Sequence, residues 1–193
     1  MKSQLAFCVG AALVAGTVVA APAIKDDKAN LIVNGSFEDG PAIPEDKYQW
    51  VDKGSDKIKG WVVTRGQIDL IGDKHWASAD GKRSLDLHGS PGMGGVKQTI
   101  KTKKDQKYRV SFSFTANPNT KKAAMSLGVN AAGQNSSFKA EAMGKTEKEM
   151  GWVTKSWDFT ATGDETEIEF YSLETDEPFA GPALDNVSVT TTK

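Results

Sequence analysis

The chain has 193 residues, and its 24 basic and 25 acidic side chains give a formal net charge of −1, a balance that argues against a nucleic-acid-binding surface. The charged fraction of 25% and the hydrophobic fraction of 38% are typical of a globular chain and exclude a disordered polyelectrolyte. The length fits one domain after a short leader.

The first 20 residues have the pattern of a secretory signal peptide. Lys2 precedes an almost wholly apolar run at residues 5–20, and Val18 and Ala20 occupy the −3 and −1 positions of a small-residue cleavage site. The alternative is an uncleaved membrane anchor, but this run is shorter than the ~20 residues that span a bilayer. We therefore expect removal of residues 1–20, a flexible lead-in at residues 21–29, and a protein secreted to the periplasm or the exterior with no membrane association.

The single cysteine, Cys8, lies inside this leader. After cleavage the chain can form neither a disulfide bond nor a thiolate zinc site. Such an exported domain depends on its hydrophobic core or on a bound metal ion.

From residue 30 onward, short apolar or alternating segments are separated by Gly, Asn, Asp and Pro, which is typical of β-strands. The clearest strand is Lys107–Ala116, where apolar and polar residues alternate strictly and predict one buried and one polar face. Further strands are predicted at residues 31–33, 61–64, 67–71, 84–88, 96–101, 123–131, 153–161, 165–173 and 184–190. Residues 141–150 predict at most a helical turn. The pattern indicates an all-β fold, a single sandwich or barrel over residues 30–190.

The sequence contains no G-x-S-x-G or H-E-x-x-H motif and no phosphate-binding loop, and it has only two histidines, His75 and His88. These absences favour a protein that is not an enzyme. A glycosidase needs only two suitably spaced carboxylates, so a polysaccharide-active enzyme stays an alternative.

Two acids stand near the ends of the domain, Glu38 and Asp185. The first and last strands of antiparallel sandwiches are commonly neighbours, so these carboxylates are candidates to share a cation. Ca²⁺ takes six to eight oxygen ligands, including backbone carbonyls. The alternative is two independent surface acids.

Aromatic side chains in polar segments are candidate carbohydrate contacts, because sugar rings present C–H faces that stack on flat rings while their hydroxyl groups need polar partners. Tyr48 and Trp50 lie in a polar segment predicted to be a loop, and His75 and Trp76 lie in a second one. Asp86 and His88 share the polar face of the predicted strand at residues 84–88. The predicted carbohydrate-binding residues are therefore Tyr48, Trp50, His75, Trp76, Asp86 and His88.

Simpler explanations exist for several of these residues. Trp76 could cap the sandwich, and an ordinary exposed strand face would explain Asp86 and His88. Trp61, Trp152 and Trp157 lie in strand-like segments and are expected to fill the core.

Residues 34–38 (NGSFE) and residues 184–189 (LDNVSV) resemble the terminal motifs of galactose-binding-like jelly rolls. With the segments at 60–72, 79–102, 107–119 and 150–173, the chain resembles the bacterial choice-of-anchor C family, which is related to a plant cell-wall protein family of unknown function. The resemblance covers residues 30–190 and implies a secreted jelly-roll β-sandwich associated with cell-wall or extracellular polysaccharide, without demonstrated catalysis. It also implies a structural calcium with acidic ligands at Glu38 and Asp185. Members often carry a C-terminal surface anchor, and its lack here favours free secretion.

The leading hypothesis is a secreted, non-catalytic module that binds a polysaccharide or other glycan and carries a structural Ca²⁺. The alternatives are a structural or adhesive matrix protein with a protein partner, and the polysaccharide-active enzyme.

Overall fold

The computed structural model describes residues 29–90 and 92–192. The predicted signal peptide at residues 1–20 and nearly all of the lead-in at residues 21–29 lie outside the described residues, so both stay predictions.

The described part of the chain is built from β-strands, with one short 3-10 turn at Pro44–Asp46. The strands are β1 (Tyr48–Asp52), β2 (Val62–Arg65), β3 (Gln67–Gly72), β4 (Arg83–Asp86), β5 (Gly95–Lys101), β6 (Lys107–Ala116), β7 (Ala124–Ala131), β8 (Gln134–Glu141), β9 (Val153–Thr160), β10 (Glu165–Ser172) and β11 (Pro182–Thr191). No helix in these described ranges is long and apolar enough to cross a membrane.

The strands form two sheets, and every pairing between neighbouring strands is antiparallel. The six-stranded sheet has the order β1-β3-β4-β11-β6-β9, and the five-stranded sheet has the order β2-β5-β10-β7-β8. This arrangement confirms the predicted all-β class and the single antiparallel β-sandwich.

The core lies between the sheets and follows from period-2 alternation. On β6 the side chains of Tyr108, Val110, Phe112 and Phe114 are all buried, as the alternation predicts. Phe112 meets Phe170 of β10 and Phe138 of β8 in edge-to-face contacts, each with ring centroids 5.1 Å apart. Because Phe112 belongs to one sheet and its two partners to the other, this aromatic cluster joins the layers.

Four local predictions are wrong, and two of them concern strands that were missed. Residues 48–52, predicted to be a loop, form β1 at the edge of the six-stranded sheet. Residues 134–141 form β8, an edge strand whose sequence is polar because much of it faces solvent. Residues 141–150 contain turns and bends instead of a helical turn.

Residues 31–33, predicted to be a strand, lie beside β11 but do not form a β-strand. The backbone N–H of Leu31 donates to the carbonyl of Val189, and the side-chain oxygen of Asn30 accepts from the backbone N–H of Val189. One further backbone contact follows, from the N–H of Val187 to the carbonyl of Gly35, and these isolated hydrogen bonds do not form a regular ladder.

Candidate functional site

A cleft of about 830 Å³ lies on the face of the six-stranded sheet that points away from the core. Strands β1, β3 and β4 form its floor, and the loops after β3, β4, β6 and β10 surround it. All six residues predicted to bind carbohydrate line this cleft, namely Tyr48, Trp50, His75, Trp76, Asp86 and His88.

Strand register sets a row of side chains across the floor. Trp50 of β1 lies opposite Asp69 of β3, and Asp69 lies opposite Asp86 of β4. Side chains in a strand alternate between faces, so these three project to the same side of the sheet while Ile68 and Leu70 enter the core. The row therefore places one indole ring and two carboxyl groups next to one another.

Two exposed aromatic rings stand at opposite rims of the cleft. Trp50 is 59% exposed on edge strand β1, and Phe179 is 68% exposed on the loop between β10 and β11. Tyr48 supports the first rim, since its ring centroid lies 6.2 Å from that of Trp50 and 5.5 Å from that of His75. Exposed aromatic rings that line a cleft together with polar groups mark a candidate contact with a ligand.

Trp76 has a supporting position. Its side chain is 1% exposed, and its indole N–H donates to the hydroxyl of Ser84 over 2.7 Å. It packs in a small apolar cluster with Ile71, Met150 and Ala183 on the outer face of the sheet. Trp76 thus lies under the cleft, consistent with the simpler capping explanation.

The alternative explanation of Asp86 and His88 as an exposed strand face is wrong, because these residues are only 2% and 1% exposed. The loop that covers them closes at Gly181, where an added Cβ would lie 2.4 Å from His88 Cβ and 2.6 Å from Asp86 Oδ1. Only glycine can pass that close, so the end of the β10–β11 loop seals this side of the cleft.

Burial changes the titration of the two floor acids. It raises the pKa of Asp69 to about 7 and raises the pKa of Asp86 well above its ordinary value. For Asp86, a 2.7 Å hydrogen bond from Asn117 Nδ2 to Oδ2 opposes this change, while the neighbouring Asp69 adds to it. Both shifts favour the protonated, neutral form of these two acids.

Three buried polar atoms in the cleft lack a hydrogen bond within the described structure: Asp69 Oδ1, Asp86 Oδ1 and His88 Nε2. The backbone N–H groups of His88 and Gly181 face Asp86 and favour its ionised form, although neither forms a well-aligned bond. Burial lowers the pKa of His88, whose Nδ1 lies 3.4 Å from the Ser172 hydroxyl. Buried polar atoms normally have partners, so these three are available to a ligand.

An ion-pair network holds the loop that carries Phe179. Lys122 binds Glu174 at 2.6 Å and also pairs with Asp176. The second oxygen of Glu174 accepts the backbone N–H of Ser126 at 2.6 Å. Because the Glu174 side chain is almost buried, this network fixes the start of the loop.

The two candidate calcium ligands lie away from the cleft and hold one loop, residues 77–83. Glu38 Oε1 accepts the backbone N–H groups of Lys82 and Arg83 at 2.7 and 2.8 Å. Gly81, in the left-handed region at φ +65°, lets the loop approach, since an added Cβ there would lie 2.3 Å from that oxygen. Glu38 thus acts as an anchor for the loop backbone.

Asp185 anchors the other side of the same loop. Its Oδ2 accepts the backbone N–H groups of Ala79 and Asp80 at 2.7 and 2.9 Å, and its Oδ1 accepts that of Asn186 at 2.6 Å. Burial outweighs these N–H groups and raises the Asp185 pKa to about 7. Oxygens that face N–H donors do not fit a calcium cage, and no cluster of three acidic, His or Cys side chains that could hold a metal occurs within the described ranges.

Comparison with known proteins supplies the family. The model for "Protein of unknown function (DUF642)" matches residues 30–190. The chain belongs to this family. By sequence, this DUF642 chain is similar to halomucin of Haloquadratum walsbyi, at 26% identity over 170 residues that cover 86% of this chain. The matched region spans only 2% of halomucin.

Solved structures share the fold of this DUF642 chain at low identity. TmCBM61, solved in complex with β-1,4-galactotriose, aligns with a TM-score of 0.53 at 14% identity, covering 85% of this chain and 99% of that module. A family 35 carbohydrate-binding module from Clostridium thermocellum aligns with a TM-score of 0.51 at 14% identity, covering 75% and 99%. The arabinose-bound α-L-arabinofuranosidase MgGH51 aligns with a TM-score of 0.56 at 15% identity, covering 85% of this chain and 26% of that enzyme. These likenesses confirm the predicted jelly-roll sandwich.

Sequence reasoning missed several residues of the cleft, above all Asp69, Asn117 and Phe179. Asp69 left a signal, since it interrupts the apolar strand Gln67–Gly72 between two core residues and thus had to face outward. Asn117 and Phe179 lie in loops, where no periodicity indicates a direction.

Proposed function

We propose that this DUF642 chain is a secreted, non-catalytic carbohydrate-binding module whose cleft holds a segment of polysaccharide. The observation that carries the proposal is the pairing of exposed rings, Trp50 and Phe179, with the acidic floor of Asp69 and Asp86 in one cleft. Sugar rings can stack on the two aromatic groups while their hydroxyl groups bond to the floor.

The size and polarity of the cleft support this proposal. A volume of about 830 Å³ is within the range of small-molecule sites and suits a few sugar residues of a longer chain. The unpartnered oxygens of Asp69 and Asp86 are acceptors for sugar hydroxyl groups. Two solved structures that share the fold, TmCBM61 in complex with β-1,4-galactotriose and the family 35 carbohydrate-binding module, add support by analogy.

The test is retention of the mature chain on a panel of insoluble and soluble polysaccharides, followed by affinity measurement. We expect binding to at least one polysaccharide and a loss of at least about tenfold in affinity for Trp50→Ala, because covering a large exposed apolar side chain contributes about 1.5–3 kcal/mol. Phe179→Ala tests the opposite rim. Met143→Ala is the control, since Met143 is exposed but lies outside the cleft.

The outcomes separate this proposal from its alternatives. Failure to bind any polysaccharide would sink the proposal. Release of reducing ends that disappears in Asp69→Asn would favour the polysaccharide-active enzyme, and retention that soluble polysaccharide cannot compete would favour a matrix protein with a protein partner.

Two finer expectations stay predictions: secretion by the leader at residues 1–20 and the resemblance to the choice-of-anchor C family. The calcium at Glu38 and Asp185 also stays a prediction, but the backbone N–H groups that donate to these oxygens argue against it. Secretion would give the cleft access to extracellular polysaccharide, which is consistent with the proposed function.

A further inference from the structure

The charges that line the cleft are mostly negative. Asp69 and Asp86 lie on the floor, and Asp176 and Glu177 lie on the β10–β11 loop. Asp176 is paired with Lys122, and Glu177 accepts a hydrogen bond of 3.0 Å from the Thr120 hydroxyl. The floor acids are paired with no cation within the described structure.

The cations that usually recognise carboxylate ligands are directed elsewhere. None of the chain's three arginines lines the cleft, since Arg65 pairs with Glu169, Arg109 pairs with Asp158 and Arg83 donates to a backbone carbonyl. Among the described lining residues, the exposed Lys121 supplies the one permanent cation, and it lies at the rim. A bidentate arginine is the usual partner for a planar carboxylate, and this floor lacks one.

The floor instead offers a pair of adjacent acceptors. Asp69 and Asp86 are directly opposed across neighbouring antiparallel strands, a position in which side chains contact each other. Each has an oxygen without a hydrogen bond, and His88 Nε2 is unpartnered beside them. Hydroxyl groups can donate to both oxygens, whereas a carboxylate would bring a further negative group into a partly desolvated acidic site.

Resting on the proposed function, we propose that the Asp69–Asp86 pair determines the specificity of the cleft: it accepts the hydroxyl groups of an uncharged sugar residue and excludes uronate residues. Asp69 and Asp86 lie beside Trp50 in the same row of the sheet. The sugar residue that stacks on the Trp50 indole is therefore the one that lies next to the two carboxyl groups.

The exclusion should depend on pH. Burial raises the pKa of Asp69 to about 7, so acidification from about pH 8 to about pH 5 neutralises this side chain. A sugar carboxylate of pKa about 3.5 stays ionised over that range. The other titratable groups that face the floor are His75, His88, Lys121, Asp176 and Glu177, and a histidine cation would weaken exclusion in the same direction. Affinities of Asp69 and Asp86 variants at both pH values therefore show whether the pH dependence of uronate exclusion comes from these acids or from a histidine.

The experiment compares polysaccharides that differ only in the acid group: carboxyl-reduced against native polygalacturonate, and carboxyl-reduced against native glucuronoxylan. Affinities of the mature chain are measured at constant ionic strength, at about pH 8 and about pH 5. We expect the neutral member of the pair that binds to bind at least about tenfold tighter at the higher pH, with a smaller ratio at the lower pH. In Asp69→Asn and Asp86→Asn the ratio should already be small at the higher pH.

Asp164→Asn is the matched control, because it removes the same charge from an exposed loop outside the cleft and should leave the ratio unchanged. Lys121→Gln tests whether the rim cation binds uronates. If polygalacturonate or glucuronoxylan binds as tightly as its neutral partner at the higher pH, or binds through Lys121, the specificity inference is overturned while the proposed function survives. If no polysaccharide binds, both fail together. The pH series needs only the unmodified chain, so a variant that fails to fold does not remove the test.

Discussion

At the scale of single residues, the acids of this chain divide by their surroundings. Glu165 and Asp158 lie on the surface, where hydrogen bonds from Lys101 and Arg109 lower their pKa values. Asp69 has no such partner, and burial raises its pKa instead. A carboxyl group with a raised pKa binds its proton more tightly in the folded state than in the unfolded state, so it links folding to pH.

This linkage has a definite sign for Asp69. Its folded pKa of about 7 exceeds the unfolded pKa, so proton binding at Asp69 stabilises the folded state. This stabilisation is fully present below the unfolded pKa and is lost as the pH rises through about 7. Asp69→Asn cannot titrate at this position. The melting temperature of the variant minus that of the wild type should therefore rise between about pH 5 and about pH 8, by about 2–4 °C for each kcal/mol of stability that the wild type loses. Thermal melting of both proteins across this range checks the prediction. A constant difference, like that expected for Asp164→Asn, would contradict it.

At the scale of elements, the cleft depends on an edge strand and a loop that face each other. Strand β1 holds Trp50 through its ladder with β3. The β10–β11 loop has no ladder and is positioned by Lys122, whose pKa is raised by hydrogen bonds from its ammonium group to Asp176 and Glu174. Lys122 thus acts with the Thr120–Glu177 hydrogen bond to position the loop that carries Phe179.

Lys122→Ala should loosen this loop. Glu174 would remain almost buried with its charge unpaired, so the free energy of unfolding should fall by about 1–3 kcal/mol and polysaccharide affinity should fall with it. Hydrogen exchange at residues 174–181, measured with thermal melting and affinity, reports both effects. Lys101→Ala is the matched control: its pair with Glu165 is exposed, and such pairs contribute about 0–1 kcal/mol. Equal effects of the two variants would argue against the loop's dependence on Lys122.

At the scale of the whole molecule, the two ends of the domain meet at the loop of residues 77–83. Glu38 from the first segment and Asp185 from the last strand each accept two backbone N–H groups from this loop. The backbone N–H of Val187 also donates to the carbonyl of Gly35 over 2.8 Å. These hydrogen bonds close the sandwich without a disulfide.

Loss of these hydrogen bonds should lower the free energy of unfolding. Asp185→Ala removes a buried carboxylate that accepts three backbone N–H groups, so we expect the free energy of unfolding to fall by about 2–3 kcal/mol, against about ±0.5 kcal/mol for Asp164→Ala. Because N–H groups already face these oxygens, the melting midpoint should be equal with excess calcium and with excess chelator. A chelator-induced drop that is absent in Asp185→Ala would instead support the predicted calcium ion.

The sequence by itself determined the class of the fold and most of its strands, because strict alternation, as in Lys107–Ala116, reports local burial directly. It also identified six residues of the cleft. Aromatic residues in polar segments, such as Trp50, and acids on the polar face of a strand, such as Asp86, differ from core residues in their sequence neighbours. Only the tertiary structure decided that these residues converge. Register brings Asp69 beside Asp86, loop closure at Gly181 covers Asp86 and His88, and Glu38 and Asp185 become backbone anchors. Each of these depends on contacts between segments far apart in the chain, and local periodicity carries no information about them.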